Sequence, residues 1–171
     1  MLFRSVGGAI GESHLSRQTR RAYSHTLATF FVTNPTDDGL AGVGTGTLSE
    51  AIRLANAAAG ADTIVLQTDV TLSGVMNSLV DSDVTITGDN PSTPSVVETR
   101  TISGSLIARP LFIKSGTVTL QDLTVVDGKA KGGNGAVGGA GAGLGGGLFV
   151  YGGDVTRSEE RRVGKECRSR W

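Results

Sequence analysis

Cysteine and tryptophan are almost missing from this chain of 171 residues. One of each is present, Cys167 and Trp171, and both fall in the last fifteen positions. Residues 1–156 therefore offer no disulfide framework and no thiolate metal site. A lone cysteine beside basic residues invites a reactive-thiol reading, but the character of the tail, described below, argues against it. No hydrophobic run is long enough to cross a bilayer as a helix; the apolar stretch from Leu27 to Val32 is short and reads as a strand. No charge of one sign dominates either, with 16 basic and 16 acidic residues. A nucleic-acid footprint needs a clustered basic surface. The one small cluster, Arg17, Arg20 and Arg21, reads as a solvated segment rather than as a nucleic-acid or lipid contact. His14 and His25 lack ligand-like spacing, and no phosphate-binding Gly-Lys-Ser/Thr occurs.

The two ends differ from the rest. Arg157 to Trp171 (RSEERRVGKECRSRW) resembles, residue for residue, the translation of a short-read sequencing adapter. Met1 to Ser5 (MLFRS) resembles the end of the partner adapter. Such segments are set aside before fold reasoning. The expected organisation is residues 1–5 and 157–171 adapter-derived, 6–28 a linker or upstream segment, and 29–156 the folded part. The tail holds six basic and three acidic residues; without it and Arg4 the balance is 9 basic to 13 acidic, mildly acidic.

One helix is expected. Thr47 can cap it, Glu50 stands three residues later as in a capping box, and Leu48, Ala51, Ile52 and Ala55 form one apolar stripe. Gly60 is expected to end it. Around it lie short strand-like runs: Thr29 to Thr33, Thr63 to Leu66, Val70 to Leu72, Val84 to Ile86, Thr101 to Ser103, Leu111 to Ile113, Val118 to Leu120 and Leu123 to Val126. Many end in a polar residue and a glycine: Ser73-Gly74, Thr87-Gly88, Ser103-Gly104, Ser115-Gly116 and Asp127-Gly128. Short strands with regular turns predict an all-β architecture.

An internal repeat selects the kind. Leu111 to Thr119 (LFIKSGTVT) aligns with Leu148 to Thr156 (LFVYGGDVT) at an offset of 37 residues. Repetition at such a period marks a solenoid or propeller, whose units bury their apolar faces only by stacking. Between the copies, residues 129–147 (KAKGGNGAVGGAGAGLGGG) are too poor in large side chains to build core. They predict a loop, or glycines that let stacked backbones approach closely.

The motifs that suggest chemistry have simpler readings. Gly141, Gly143 and Gly146 match G-x-G-x-x-G, but without the βαβ context and trailing acid that dinucleotide binding requires. The same stretch has no Asp or Glu, which removes repeat-type calcium binding. Asp37, Asp38 or the group Asp81, Asp83 and Asp89 could hold one calcium ion, and that group could also supply a glycosidase pair; turn, surface and strand-edge roles are the favoured ones. No catalytic, cofactor-binding or metal residue is assigned.

Thr33-Asn34, Asp38-Gly39, Thr47-Leu-Ser-Glu-Ala-Ile52, Asn56-Ala-Ala and Ala61-Asp-Thr-Ile-Val-Leu66 resemble an opening found in bacterial surface proteins that begin a right-handed parallel β-helix. Ser49 replaces the usual Arg of that opening, and Leu66 the usual Phe. Val84-Thr-Ile-Thr-Gly88 and Val118 to Gly128 resemble the rungs that follow. The resemblance covers about residues 29–156. It implies a pectin-lyase-like solenoid with an N-terminal capping helix, cut at its C-terminal end. It implies an exported, adhesin- or autotransporter-like protein, extracellular or associated with the outer membrane, that presents loops such as 129–147 to glycans or proteins of a host cell. The other reading on the same fold is a polysaccharide lyase or hydrolase of pectate-lyase type, for which Asp122, Asp127, Lys114 and Arg109 are the cluster to test.

Overall fold

The computed structural model describes residues 27–90, 96–132 and 143–158. It contains one helix and twelve strands, all paired in parallel. The strands are β1 (Thr29–Val32), β2 (Thr36–Asp37), β3 (Asp62–Leu66), β4 (Val70–Leu72), β5 (Val80–Asp81), β6 (Val84–Thr87), β7 (Arg100–Ser103), β8 (Leu111–Ser115), β9 (Thr117–Gln121), β10 (Leu123–Val126), β11 (Leu148–Val150) and β12 (Asp154–Ser158), with α1 (Leu48–Ala57) between β2 and β3. Three sheets form. Sheet A is β1-β3-β6-β9-β12, sheet B is β2-β4-β7-β10 and sheet C is β5-β8-β11. The chain visits A, B and C in turn and repeats the circuit: a parallel β-solenoid of about three turns.

Stacking explains the strand sequences. Parallel strands lie about 4.8 Å apart with side chains alternating between faces, so each register position becomes a column. Ile64, Ile86 and Leu120 stack inside sheet A, as do Val84, Val118 and Val155. On the outside run Thr29, Thr63, Thr85, Thr119 and Thr156. The interior residues Ile64, Ile86, Ile102, Leu111, Ile113 and Val118 are fully enclosed. The expected repeat is realised residue for residue: Leu148 pairs with Leu111, Phe149 with Phe112, Val155 with Val118 and Thr156 with Thr119. The same ladder continues through Arg157 opposite Leu120 and Ser158 opposite Gln121, so β12 reaches two residues past Thr156.

The recurring glycines mark where coils touch. A Cβ would lie 2.2 Å from the Asp38 carbonyl oxygen at Gly74, 2.2 Å from that of Asp122 at Gly88, 2.3 Å from that of Ser82 at Gly116 and 2.3 Å from that of Gly146 at Gly128. No side chain fits between backbones stacked that closely. Gly116 also has a φ of +93°, so its turn between sheets C and A excludes other residues twice over.

Three details differ from the sequence-based expectation. The helix ends at Ala58, whose N–H donates to the carbonyls of Leu54 and Ala55, rather than at Gly60. Asn34 to Gly39 (NPTDDG) carries turn chemistry, yet Thr36–Asp37 within it forms a short strand of sheet B. Glu50 does not reach back to the Thr47 N–H. Thr47 accepts from the Glu50 N–H at 3.3 Å as a cap should, but the Glu50 carboxylate accepts from the N–H groups of Gly44 and Gly46 and the Thr45 hydroxyl, tying the loop before the helix.

Candidate functional site

In the first circuit α1 stands where later circuits place a strand of sheet C: β1, β2, then helix, then sheet A again. That leaves β5 as an edge of sheet C facing the helix, and an unpaired edge needs cover. Asn56 supplies it. Its side-chain amide donates to the Leu79 carbonyl at 2.7 Å and accepts from the Asp81 N–H at 3.0 Å. These are the two bonds that a residue of a parallel neighbour would make across Val80. The amide thus substitutes for a strand, and it also accepts from the Ser82 hydroxyl.

The other end of α1 is held from inside the solenoid. Asp37 points inward and is fully buried, and its carboxylate accepts from the N–H groups of Ser49 (2.6 Å) and Gly39 (2.7 Å) and from the Ser49 hydroxyl. A carboxylate at a helix N-terminus meets free N–H donors and the positive end of the helix dipole. Ser49, where the resembled opening has Arg, is therefore a partner of Asp37. Asp62 is buried likewise and accepts from the Ala28 N–H at 2.9 Å. The Glu50 carboxyl is raised by burial, yet the hydrogen bonds from Gly44, Gly46 and Thr45 together hold it below its usual value.

The remaining carboxylates also serve the scaffold. Asp81, Asp83 and Asp89 do not form a pair. Asp81 lies on sheet C, bonded to the Lys114 ammonium and the Ser115 hydroxyl. Asp83 caps β9 by accepting from the Thr117 N–H at 2.7 Å, and Asp89 accepts from the Glu98 N–H at 3.4 Å. Lys114 first and Ser115 second hold the Asp81 carboxyl below its usual value. Asp38 accepts from the Leu40 N–H at 3.0 Å. Among the described residues, no three His, Cys, Asp or Glu side chains are grouped to hold a metal ion.

The cluster Asp122, Asp127, Lys114 and Arg109 is spread over the solenoid. Asp122 is the single left-handed residue (φ 51°) at the corner between sheets A and B, and Asp127 (φ 49°) opens the corner between B and C, where it accepts from the Ser103 hydroxyl at 3.4 Å. Lys114 sits in β8, paired with Asp81. Arg109 precedes β8 and donates to the carbonyls of Gly145 (2.7 Å) and Leu144, clamping the exit of the glycine-rich loop. Its guanidinium lies 5.6 Å from the centre of the Phe112 ring and 4.9 Å from that of Phe149.

That corner, after each strand of sheet B, carries features the sequence reading missed. Leu40 and Val43 in the first circuit, Val75 in the second, Leu106 and Ile107 in the third and Leu144 in the fourth are all exposed. Only their position in the circuit reveals them as a group; no local pattern in the sequence does. The described parts of the loop, Lys129 to Gly132 and Gly143 to Gly147, emerge here without helix or strand. The Gly128 and Gly146 backbones pack directly on one another.

Residues 133–142, including Gly141 of the G-x-G-x-x-G match, lie outside the described residues. So do Arg17, Arg20, Arg21, His14, His25 and Cys167. No helix among the described residues is long and apolar enough to cross a membrane.

The architecture defines a class: parallel β-solenoids with a helix seated in the place of a terminal strand. Comparison with models of protein families, with curated proteins and with solved structures gave no match to this chain.

Proposed function

We propose that the chain is a structural and adhesive module of a large bacterial cell-surface or secreted protein, a rigid solenoid that presents side chains and loops to an extracellular partner. The observation that carries this reading is the corner after sheet B. Leu40, Val43, Val75, Leu106, Ile107 and Leu144 stand exposed there, coil after coil, on a framework of in-register backbone ladders. Exposed aliphatic side chains gathered on one side of a molecule favour a contact surface. The carboxylates support the same reading: Asp62, Asp81 and Asp83 each bond a neighbouring coil, and Asp37 seats the helix.

A polysaccharide lyase or hydrolase would need acids and bases converging on one face, and Asp122, Asp127, Lys114 and Arg109 are divided between two corners and sheet C. The test is to immobilise residues 1–171 and measure binding to cells and extracellular matrix beside depolymerisation of polyuronates and neutral glycans. Binding without cleavage is expected. Release of unsaturated uronides or reducing ends, lost in Asp122→Ala and Asp127→Ala, would overturn the adhesive reading in favour of the enzyme. The adapter origin of residues 1–5 and 157–171 belongs to the same proposal, and contiguous genomic sequence decides it: native codons for RSEERRVGKECRSRW would refute it.

A further inference from the structure

Aromatic residues are scarce in this chain, and their distribution is uneven. Among the described residues Phe30 and Phe31 belong to β1; of the other three, Phe112 and Phe149 lie in sheet C and Tyr151 follows β11 directly. Leu111 and Ile113 are fully buried, so Phe112 and Lys114 point outward from β8. Register places Phe149 beside Phe112, with ring centres 5.1 Å apart and planes inclined at 60°. The Tyr151 N–H bonds to the Ile113 carbonyl at 2.8 Å, which sets Tyr151 beside Lys114 with its side chain 77% exposed. The face therefore has two rows. One is a ring pair buttressed by the Arg109 guanidinium; the other holds the Tyr151 phenol, the Lys114 ammonium, the Asp81 carboxylate and the Ser115 hydroxyl. None of the three aromatic residues belongs to the buried core, and an aromatic side chain as exposed as Tyr151 gains little by burial.

We propose that this outer face of sheet C is a carbohydrate-binding platform for one or two pyranose rings of an extracellular glycan. A pyranose has a face of polarised C–H bonds and a rim of hydroxyls that are both donors and acceptors. The electron-rich face of an aromatic ring complements the first. Lys114 as donor, Asp81 as acceptor and Ser115 as either complement the second. Size separates this occupant from a protein. Three strands about 4.8 Å apart and three residues of about 3.3 Å rise span roughly 10 Å by 10 Å, whereas a stable protein interface buries about 800 Å² on each partner. The platform deepens the adhesive reading and rests on it.

The experiment uses residues 1–171 with cellulose, chitin and mannan in pull-down and with their soluble hexasaccharides in calorimetry. It compares the parent with Tyr151→Ala, Phe149→Ala and Tyr151→Phe, and with Thr85→Ala on the outer face of sheet A, while thermal melts confirm folding. The parent is expected to bind at least one glycan. Tyr151→Ala and Phe149→Ala should each weaken it about tenfold, the equivalent of one aromatic contact; Tyr151→Phe and Thr85→Ala should retain it. Tyr151→Ala keeps the test decisive if Phe149→Ala destabilises β11. Glycan binding unchanged in Tyr151→Ala and in folded Phe149→Ala would overturn the platform and leave the adhesive reading standing. So would cell binding that survives enzymatic removal of surface glycans. A parent that binds neither cells nor glycans would overturn both.

Discussion

At the α1 end of the solenoid Leu48, Ile52, Ile64 and Leu66 are enclosed almost completely, whereas beside β11 and β12 Leu148 and Val155 are only partly covered. A cleft of about 230 Å³, lined by Leu120, Leu123, Val125, Gly147, Leu148, Arg157 and Ser158, opens at the second end. The difference shows what a coil requires. Its interior exists only where a layer lies on each side of it. A helix provides such a layer in ten residues, but it brings unpaired N–H groups of its own and leaves a sheet edge uncovered. Asp37, Thr47 and Asn56 meet those demands at the first end. At the second end the layer is β12, where the column of Ile64, Ile86 and Leu120 continues into Arg157.

The largest test of this contrast is core truncation. Ile86→Ala, in a circuit flanked on both sides, should cost about 3–4 kcal/mol in urea unfolding, the usual loss for a buried Ile with its cavity. Val155→Ala, at a partly covered site, should cost roughly 1 kcal/mol or less. Equal losses would mean that β12 encloses its neighbours as well as an inner coil does.

Next comes the inward cap. Asp37→Ala removes a buried acceptor from two N–H groups and the Ser49 hydroxyl, and should cost roughly 3 kcal/mol. Asp38→Ala, one residue along, removes a single exposed acceptor of the Leu40 N–H and should cost about 0.5 kcal/mol. Similar losses at both positions would show that the helix is not seated through Asp37.

These two neighbours also show how far the sequence could be read. Most strand positions, the helix with its Thr47 cap, and the 37-residue register follow from periodicity and turn chemistry, which are local properties; the two-residue strands β2 and β5 do not. The recurring glycines were visible as punctuation; their reason, contact between backbones of adjacent coils, appears only once the coils are stacked. Asp37 and Asp38 look alike in the sequence and differ because the short strand β2 turns Asp37 inward, while Asp38, the residue after it, lies exposed. Burial there depends on register against Leu72, a partner 35 residues away. The corner of exposed aliphatics and the aromatic face of sheet C escape for the same reason. Each gathers residues from separate circuits, and the motif-like groups Asp81, Asp83 and Asp89 are dispersed by that same winding.

A smaller effect tests whether Asn56 acts as a strand. Asn56→Ala removes both bonds to β5 and should cost about 1–2 kcal/mol. Its specific signature is faster hydrogen exchange at the Asp81 N–H, with inner strands such as β9 unchanged. Asn56→Asp keeps the acceptor for Asp81 but loses the donor to Leu79, so exchange at Asp81 should stay close to that of the parent. Uniform acceleration across all strands would reduce Asn56 to a general contributor to stability.

The smallest expected effect compares the inner seat of the helix with the open face of sheet C through their carboxylates. Glu50 and Asp81 both have folded-state pKa values below their ordinary ones. A group depressed in this way stabilises the fold above its unfolded pKa, about 4 for a carboxylate, and loses that contribution as pH falls through the folded value. Glu50→Gln and Asp81→Asn should therefore each be less stable than the parent at neutral pH, and each difference should close in acid. Salt separates them. The Asp81–Lys114 pair is exposed to solvent, so concentrated salt should shrink its difference at neutral pH. Glu50 is buried and held by the Gly44 and Gly46 N–H groups, so its difference should persist in salt. Salt sensitivity at Glu50, or its absence at Asp81, would contradict the assignment of one carboxylate to the inner seat of the helix and the other to the open face of sheet C.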